Sequence, residues 1–308
     1  MPSWSVVLKE LQKEVKANPN KDPFHTVRQR YLQKLFQKRK RNIIVYYSGW
    51  LDKPNIKGVE INDNDKNSFM TVIHGLDRKK GLDLILHTPG GEVAATESLI
   101  DYLREMFGFD IEVFIPQIAM SAGTMIACAS KCIHMGKQSN IGPIDPQIGG
   151  LPASAILDEF EKAAKEIKDQ PEKIPLWQVI ISKYHPSLIL SCENAIQWSK
   201  EIVKKYLKTG MFSEDTGVDI SQIVDKLSDH KQMKTHFRHI GIKEAQNIGL
   251  KINPLEEDDK LQDIVLTIHH TYMHTLSSTP AIKIVENHID VGQIRHATLV
   301  HQPKSYKP

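Results

Sequence analysis

A short apolar stretch that ends in a glycine-rich turn constrains the fold more than any other feature of this sequence. Residues 82–87 (LDLILH) are almost continuously apolar, which is typical of a β-strand that is covered on both faces. The stretch breaks at 88–91 (TPGG), and apolar residues at helical spacing over 92–107 then predict a helix. A buried strand, a sharp turn and a helix form the first half of a β-α-β unit, so a largely parallel sheet is expected.

The same alternation of strands and helices continues along the chain. Further strands are predicted at 42–47, 111–116 and 132–135 from their β-branched and apolar residues. Helices are predicted at 4–17, 27–38, 62–76 and 121–129 and, from residue 152 onward, at 153–169, 174–184, 188–208, 218–228, 242–248 and 261–276. The fold class is therefore α/β, a series of β-α-β units followed by an added helical C-terminal region.

The composition of the 308-residue chain is that of an ordinary globular protein, with 40% hydrophobic and 25% charged residues. Its formal net charge of +3 gives no argument for nucleic-acid binding, and we interpret the basic run 38–41 (KRKR) as a solvated helix end. Three cysteines fit a reducing compartment. No stretch reaches the roughly 18 apolar residues that span a bilayer, so we expect a cytoplasmic protein without a membrane anchor.

Neither a cofactor nor a metal is predicted. Cys128 and Cys132 stand at helical spacing, but no further cysteine or close histidine pair completes a zinc set, so we interpret them as small buried residues. The sequence also lacks the glycine-rich loop with a lysine that binds nucleotide phosphates, and ATP binding is therefore not expected.

A serine between a predicted strand and a buried helix is the strongest candidate for chemistry. A helix N-terminus presents unpaired N–H groups and a partial positive charge, so the amide of Ala122 beside the Ser121 hydroxyl is suited to hold an oxyanion. Gly90 and Gly91 allow a sharp turn that exposes further N–H groups. The alternative is that Ser121 is simply an N-cap, a role that serine often takes.

The order and intervals of three motifs connect these features: HTPGG at 87–91, AMSAG at 119–123 and GPIDPQIGG at 142–150. In this arrangement the chain resembles the ClpP/crotonase-fold serine peptidases and, more narrowly, the serine dehydrogenase proteinase (SDH) family. The resemblance covers about residues 42–250. It implies an N-terminal helical segment at 1–41, a peptidase domain built as a spiral of β-α-β units at 42–252, and a C-terminal helix and tail at 253–308.

The resemblance also implies roles for individual residues. Ser121 matches the nucleophile, and Gly91 and Ala122 match the residues whose backbone N–H groups form the oxyanion hole. Three more residues would line the groove that holds a peptide as an added strand, namely Gly90, Glu92 and Val93. The substrate would be a protein or peptide, and because ClpP-fold peptidases form closed rings or stacked dimers, a homo-oligomer is expected.

The general base is open, because Asp145 stands where ClpP carries its catalytic histidine. A carboxylate alone is a poor base for a serine hydroxyl. His236 lies in a segment that resembles the family's end region, and a triad of Ser121, His236 and Asp145 would place an imidazole between nucleophile and carboxylate. A structural histidine at a helix boundary is the other interpretation of His236. The remaining candidate bases are two lysines and three histidines: Lys162, Lys165, His185, His230 and His239.

Three functions remain open from the sequence. The first is hydrolysis of peptide bonds through an acyl-enzyme on Ser121. The second is that of a crotonase-like acyl-thioester enzyme, which uses two backbone N–H groups to bind an enolate and does not need Ser121. The third is a catalytically silent scaffold that keeps the fold for assembly, which the absence of a histidine at position 145 supports.

Overall fold

A seven-stranded mixed sheet forms the centre of the molecule. The computed structural model describes residues 3–229 and 238–297 of the chain. The strands are β1 (Asn42–Ser48), β2 (Leu82–His87), β3 (Ile111–Ile115), β4 (Ile118–Ala119), β5 (Cys132–Met135), β6 (Asn140–Ile141), β7 (Gln147–Ile148), β8 (Leu151–Pro152), β9 (Ile240–Gly241), β10 (Ile252–Pro254), β11 (Ala281–Asn287) and β12 (Gly292–His296). The predicted strands are confirmed, because each starts at the expected residue.

Helices precede and connect these strands. They are α1 (Trp4–Ala17), α2 (Pro23–Arg39), α3 (Asn64–Ile73), α4 (Val93–Phe107), α5 (Ala122–Cys128), α6 (Ala153–Asp169), α7 (Ile174–Ile181), α8 (Leu188–Thr209), α9 (Ile220–Ser228), α10 (Ile242–Ile248) and α11 (Asp259–Ser278). In the part of the chain that the structure describes, none of the helices combines the length and the apolar character needed to cross a membrane.

The sheet brings the ends of its parallel strands to a common edge. Its order is β10-β5-β3-β2-β1-β11-β12, and the first five strands run parallel. Leu84 of β2 lies opposite both Ile44 of β1 and Val113 of β3. Since parallel strands end on the same side, the turns that follow β2 and β3 lie together at the carboxyl edge.

Helices cover both faces of this sheet, because side chains alternate along each strand. On β2, Leu84 and Leu86 pack into a core with α3, α4 and α5, whereas Ile85 packs into a second core with α2 and α11. Helices α6 and α8 share a smaller core around Ile156 and Cys192. The near-continuous apolar character of β2 therefore results from burial on both faces.

Two strands occupy part of the segment that was predicted as a C-terminal tail. β11 pairs antiparallel with β1, with Ile284 opposite Tyr47, and β12 pairs antiparallel with β11. β11 carries Lys283 and Glu286, which are only 1% and 2% exposed. The helix predicted at 261–276 is confirmed as α11, but the residues after it contribute to the central sheet.

Three residues of the basic run 38–41 form ion pairs near the amino ends of the strands, namely Lys38, Arg39 and Arg41. Arg39 and Arg41 both contact the carboxylate of Asp83, at 2.8 and 2.5 Å. Asp83 is fully buried, so the two guanidinium groups compensate a negative charge inside the sheet. Lys38 pairs with Asp258 at 2.7 Å. The interpretation of this run as a solvated helix end is thereby corrected.

Candidate active site

Two turns at the carboxyl edge of the sheet place the Ser121 segment against the glycine-rich segment. The 88–91 turn follows β2, and Ser121 follows the short strand β4. Thr88 and Ala119 form a parallel bridge, and the Met120 N–H donates to the Thr88 carbonyl at 3.0 Å. The two motifs that the sequence singled out therefore lie side by side.

Ser121 has an unusual backbone conformation. Its φ is +50° and its ψ is −110°, a region that non-glycine residues seldom occupy. It directly precedes α5, yet its side chain makes no capping hydrogen bond to that helix. Strain of this kind persists only where the surroundings impose it, and it is common at functional sites. The geometry does not support the alternative that Ser121 is a plain N-cap.

Glycines allow the two turns to approach closely. Gly90 has a φ of +101°, and a Cβ placed on it would lie 2.9 Å from the Ser121 Cβ and 3.2 Å from the Ala122 nitrogen. A Cβ on Gly142 would lie 3.2 Å from the Ser121 nitrogen. These positions need glycine because another backbone passes at contact distance. The Gly90 turn and the amide of Ala122 thus meet beside the Ser121 side chain.

Two backbone amides near this point lack the partners that secondary structure would give them. The Ile61 N–H donates to the Gly90 carbonyl at 2.8 Å, and the Ile61 carbonyl accepts from the Glu92 N–H at 2.9 Å. In a parallel bridge of this kind, the N–H and C=O of the intervening Gly91 point to the opposite side. Ala122 is the first residue of α5, so its N–H has no intrahelical acceptor. Two such donors are what an oxyanion hole requires.

A groove of about 550 Å³ passes Ser121. It includes the three residues that were predicted to line a peptide groove, Gly90, Glu92 and Val93. It is lined by Glu60, Pro89, Gly90, Gly91, Glu92, Val93, Ser121, Pro146, Gln147 and Gly150. The free side of Gly91 offers a backbone with which an extended peptide can pair. The groove therefore combines a nucleophile, amide donors and a strand edge.

Asp145 is buried beside groove-lining residues in the chain. Its side chain is 4% exposed and accepts a hydrogen bond from the Ser154 hydroxyl at 2.9 Å. The next two residues, Pro146 and Gln147, line the groove. The pKa of the Cys192 thiol is raised by burial and, to a smaller extent, by the negative charge of Asp145. Asp145 is thus a buried carboxylate whose orientation is fixed by a residue of α6.

The described residues do not assign a general base to the serine. In residues 3–229 and 238–297, no hydrogen bond joins the Ser121 hydroxyl to another side chain. Lys162 is 67% exposed and lies 3.9 Å from Glu166. Three other candidates are exposed: Lys165, His185 and His239. His230 and His236 lie outside the described residues. The triad of Ser121, His236 and Asp145 therefore stays a prediction.

His87, the residue before the glycine-rich turn, faces the opposite side of the sheet from α5. Its ring centroid lies 4.4 Å from that of Trp50, 5.3 Å from Tyr47 and 5.4 Å from His269. Burial lowers the pKa of His87 to about 3. It is a neutral packing residue beneath the turn, which agrees with its interpretation as part of a strand end.

The sequence analysis missed two contributors to the site. Ile61, which holds the glycine-rich turn through two backbone hydrogen bonds, belongs to a loop without periodicity, and no local signal points to it. Gly142 opens the GPIDPQIGG motif, so its glycine signal was present in the sequence, but its contact with Ser121 depends on folding. Both contribute through backbone proximity rather than side-chain chemistry.

Comparison with known proteins finds relatives that are themselves uncharacterized. The chain is 28% identical over 253 residues to the uncharacterized protein MJ0137 of Methanocaldococcus jannaschii, a match that covers 80% of this chain and 78% of that protein. It is 30% identical over 204 residues to the uncharacterized protein MJ1495 of the same organism, covering 66% of this chain and 62% of that protein. The chain thus matches less than two thirds of the second relative's length.

One solved structure in the comparison is a mutant of the 1510-N membrane-bound stomatin-specific protease. The two chains are 16% identical and superimpose with a TM-score of 0.39, over 67% of this chain and 79% of the other. A likeness at this level carries no argument about fold or activity.

A family model gives the decisive comparison. The model of the ClpP-like SDH-type serine proteinases matches residues 16–289, which include both turns, Ser121 and strand β11. The match confirms the resemblance inferred from the three sequence motifs, and with it the ClpP-like α/β fold. The chain belongs to the family of ClpP-like SDH-type serine proteinases.

Proposed function

We propose that this chain is a serine endopeptidase that hydrolyses peptide bonds through an acyl-enzyme on Ser121. Membership of a serine proteinase family supports peptidase chemistry at the level of the family. The observation that carries the proposal is the strained backbone of Ser121, held against a glycine turn next to the amides of Gly91 and Ala122. A non-glycine residue at φ +50° costs free energy, and residues with such strain cluster at active sites.

The geometry suggests how the reaction would proceed. A peptide pairs with the free side of Gly91, which presents its scissile carbonyl to the Ser121 hydroxyl. The serine oxygen attacks the carbonyl carbon while a base removes the hydroxyl proton. The Gly91 and Ala122 N–H groups stabilise the negative oxygen, the amine leaves with the proton, and water then hydrolyses the ester.

For the base we propose His236, oriented by Asp145. Asp145 supports this role because it is a buried carboxylate next to groove-lining residues, and the hydrogen bond from Ser154 fixes its orientation. A carboxylate so held would stabilise an imidazolium that forms during acylation. Lys162 and Asp145 itself are the competing bases, and the exposure of Lys162 argues against the first.

A fluorophosphonate probe tests the nucleophile directly. We expect the intact chain to be labelled with one equivalent of probe, and Ser121→Ala to lose both labelling and peptide cleavage, by a factor of about 1,000 or more. Ser182→Ala, at an exposed serine of the helical region, is the matched control and should behave as the unmodified protein. Among base variants, His236→Gln should abolish labelling, whereas Lys162→Gln and His239→Gln should not.

Two results would contradict the proposal. Labelling that persists in Ser121→Ala would place the nucleophile elsewhere. A folded chain that resists the probe and cleaves no peptide would favour the silent scaffold, or the crotonase-like alternative if it binds an acyl-thioester.

We also propose that the peptidase works as a homo-oligomer in the cytoplasm. Helix α7 and the start of α8 expose several large apolar side chains, including Leu176 at 57%, Val179 at 60% and Leu190 at 58%. Large apolar side chains that are exposed on neighbouring segments of the chain favour an association surface in this region.

A further inference from the structure

A second cluster of reactive side chains lies at the opposite edge of the sheet from Ser121. Glu112 is near the start of β3, and Cys132 and His134 are on the adjacent strand β5. Glu112 lies directly opposite Cys132 in the parallel pairing, so the two side chains share a face, and His134 follows two residues later on that same face. The sheet register therefore brings three possible metal ligands together.

The donor atoms of these side chains are close enough to share one ion. The carboxylate oxygen, thiol sulfur and imidazole nitrogen all lie within 4.8 Å of one another. The Cys132 Sγ is 3.7 Å from the His134 Nε2, and a Glu112 Oε2 is 2.6 Å from the same nitrogen. Ligand atoms around tetrahedral zinc are separated by about 3.5 Å. The distance from the Cys132 sulfur to the His134 Nε2 thus already suits a shared zinc ion. The Glu112 carboxylate oxygen would need to move away from that nitrogen by less than about 1 Å.

The surroundings hold the histidine in place and leave one side of the cluster open. The ring of His134 stacks on Phe114 with centroids 4.0 Å apart and planes 2° from parallel. Glu112 and Cys132 line a groove of about 550 Å³, and Asn253 at its rim lies 3.2 Å from the Cys132 sulfur. A bound ion would therefore have three protein ligands and one position facing solvent.

The charges around the cluster are compatible with a divalent cation. Glu112 accepts a hydrogen bond from Arg39 at 2.6 Å, but Arg39 also pairs with Asp83 at 2.8 Å and keeps that partner if the carboxylate turns to a metal.

We propose that Glu112, Cys132 and His134 form a binding site for a zinc-like divalent cation that ties β3 to β5. The mixture of sulfur, nitrogen and oxygen donors suits a borderline ion such as Zn²⁺ and is unsuited to Mg²⁺ or Ca²⁺, which prefer oxygen ligands. The site is independent of the proposed peptidase centre. The proposal gives Cys132 a role that the sequence analysis did not assign to it.

Cobalt provides a probe that reports the ligands. We expect the intact chain, freed of metal by a chelator, to bind one equivalent of Co²⁺ with a thiolate-to-cobalt charge-transfer absorption, and Zn²⁺ to displace it. Cys132→Ser should lose that absorption, and His134→Ala should weaken binding by more than the roughly 10–100-fold typical of changes outside the ligand set. Cys192→Ser is the control and should retain both the charge-transfer absorption and the Co²⁺ affinity.

Three results would contradict the proposed site. They are the absence of stoichiometric Co²⁺ and Zn²⁺ binding, an absorption band that persists in Cys132→Ser, and a Co²⁺ affinity of His134→Ala equal to that of the unmodified protein. Glu112→Gln, which keeps the shape of the side chain, provides a second ligand variant if His134→Ala does not fold. Ser121→Ala should bind the metal unchanged, so failure of the peptidase proposal and failure of the metal site are distinguishable.

Discussion

At the scale of single residues, Gly90 controls the geometry around Ser121. A Gly90→Ala variant would place a methyl group 2.8 Å from the Met120 carbonyl oxygen and 2.9 Å from the Ser121 Cβ, so the two turns must separate. Separation would move the Gly91 amide away from the developing oxyanion. We expect kcat/KM on a peptide substrate to fall about 100-fold or more, as when an oxyanion donor is removed.

The matched control is Gly75→Ala. Gly75 has a φ of +81°, and the nearest atom to an added Cβ would be 3.9 Å away on Ile289. Both substitutions carry the backbone strain of a left-handed conformation, about 1–2 kcal/mol. Urea unfolding should therefore show a loss of stability in both variants, whereas activity should fall only in Gly90→Ala. Comparable activity losses would contradict the role given to the Gly90 contact.

At the scale of elements, strand β11 supports the site through a buried ion pair. Lys283 on β11 contacts both carboxylate oxygens of Asp65 on α3 at 2.9 Å and donates to the Glu60 carbonyl at 2.8 Å. Glu60 precedes Ile61, which holds the glycine-rich turn. Lys283→Met would leave Asp65 buried without its main cation, and we expect the free energy of unfolding to fall by about 3–5 kcal/mol.

A double-mutant cycle measured by urea unfolding isolates the contribution of this pair. Lys283→Met combined with Asp65→Asn removes both charges, so the double variant should be more stable than the sum of the single losses predicts. Additive losses would show that the two charges do not depend on each other.

The strands also explain how far the sequence could predict this fold. β1, β2 and β3 are buried on both faces, which leaves a local apolar run that can be recognised. β11 could not be recognised because Lys283 and Glu286 make its sequence look solvent-exposed, although both are buried. Their partners, Asp65 and Arg28, lie 218 and 258 residues away in the chain. No local pattern contains that information.

The same distinction applies to the two sites. Ser121 and the 88–91 turn could be predicted because strand ends, glycines and a helix start are local features. The hydrogen bonds between Ile61 and the glycine-rich turn depend on a contact between separate loops. The close approach of Gly142 to Ser121 does so as well. The cluster of Glu112, Cys132 and His134 depends on the register of β3 and β5, which the sequence does not specify.

At the scale of the whole molecule, buried histidines make the fold sensitive to acid. Burial lowers the pKa of His87 to about 3 and that of His269 well below its usual value. In the unfolded chain both would titrate near the ordinary value of about 6.5. At a pH between the folded and the unfolded pKa of each histidine, the unfolded state binds a proton that the folded state does not. Stability is therefore full above about pH 6.5 and is lost as the pH falls below it.

The carboxylate of Glu112 acts in a different pH range from these histidines. Burial raises the pKa of Glu112, but the hydrogen bond from His134 and the charge of Arg39 outweigh it and lower the pKa to about 2. The stability that this carboxylate contributes is lost only as the pH falls below 4.5, the ordinary pKa of a glutamate. Between pH 6.5 and 4.5, Glu112 therefore leaves the stability unchanged, whereas His87 and His269 lower it as the pH falls.

Replacing one buried histidine by a ring that cannot titrate should flatten the acid response in this window. One proton taken up on unfolding changes stability by about 1.4 kcal/mol per pH unit, so His87→Phe should reduce the slope of unfolding free energy against pH by up to that amount. Phenylalanine also keeps the packing of the ring against Trp50. His296→Phe, at an exposed position on β12, should leave the slope unchanged. Urea unfolding at several pH values measures both slopes. A His87→Phe slope equal to that of the unmodified protein would contradict the prediction, because His87 would then have to take up a proton in the folded state, and burial opposes a charged ring.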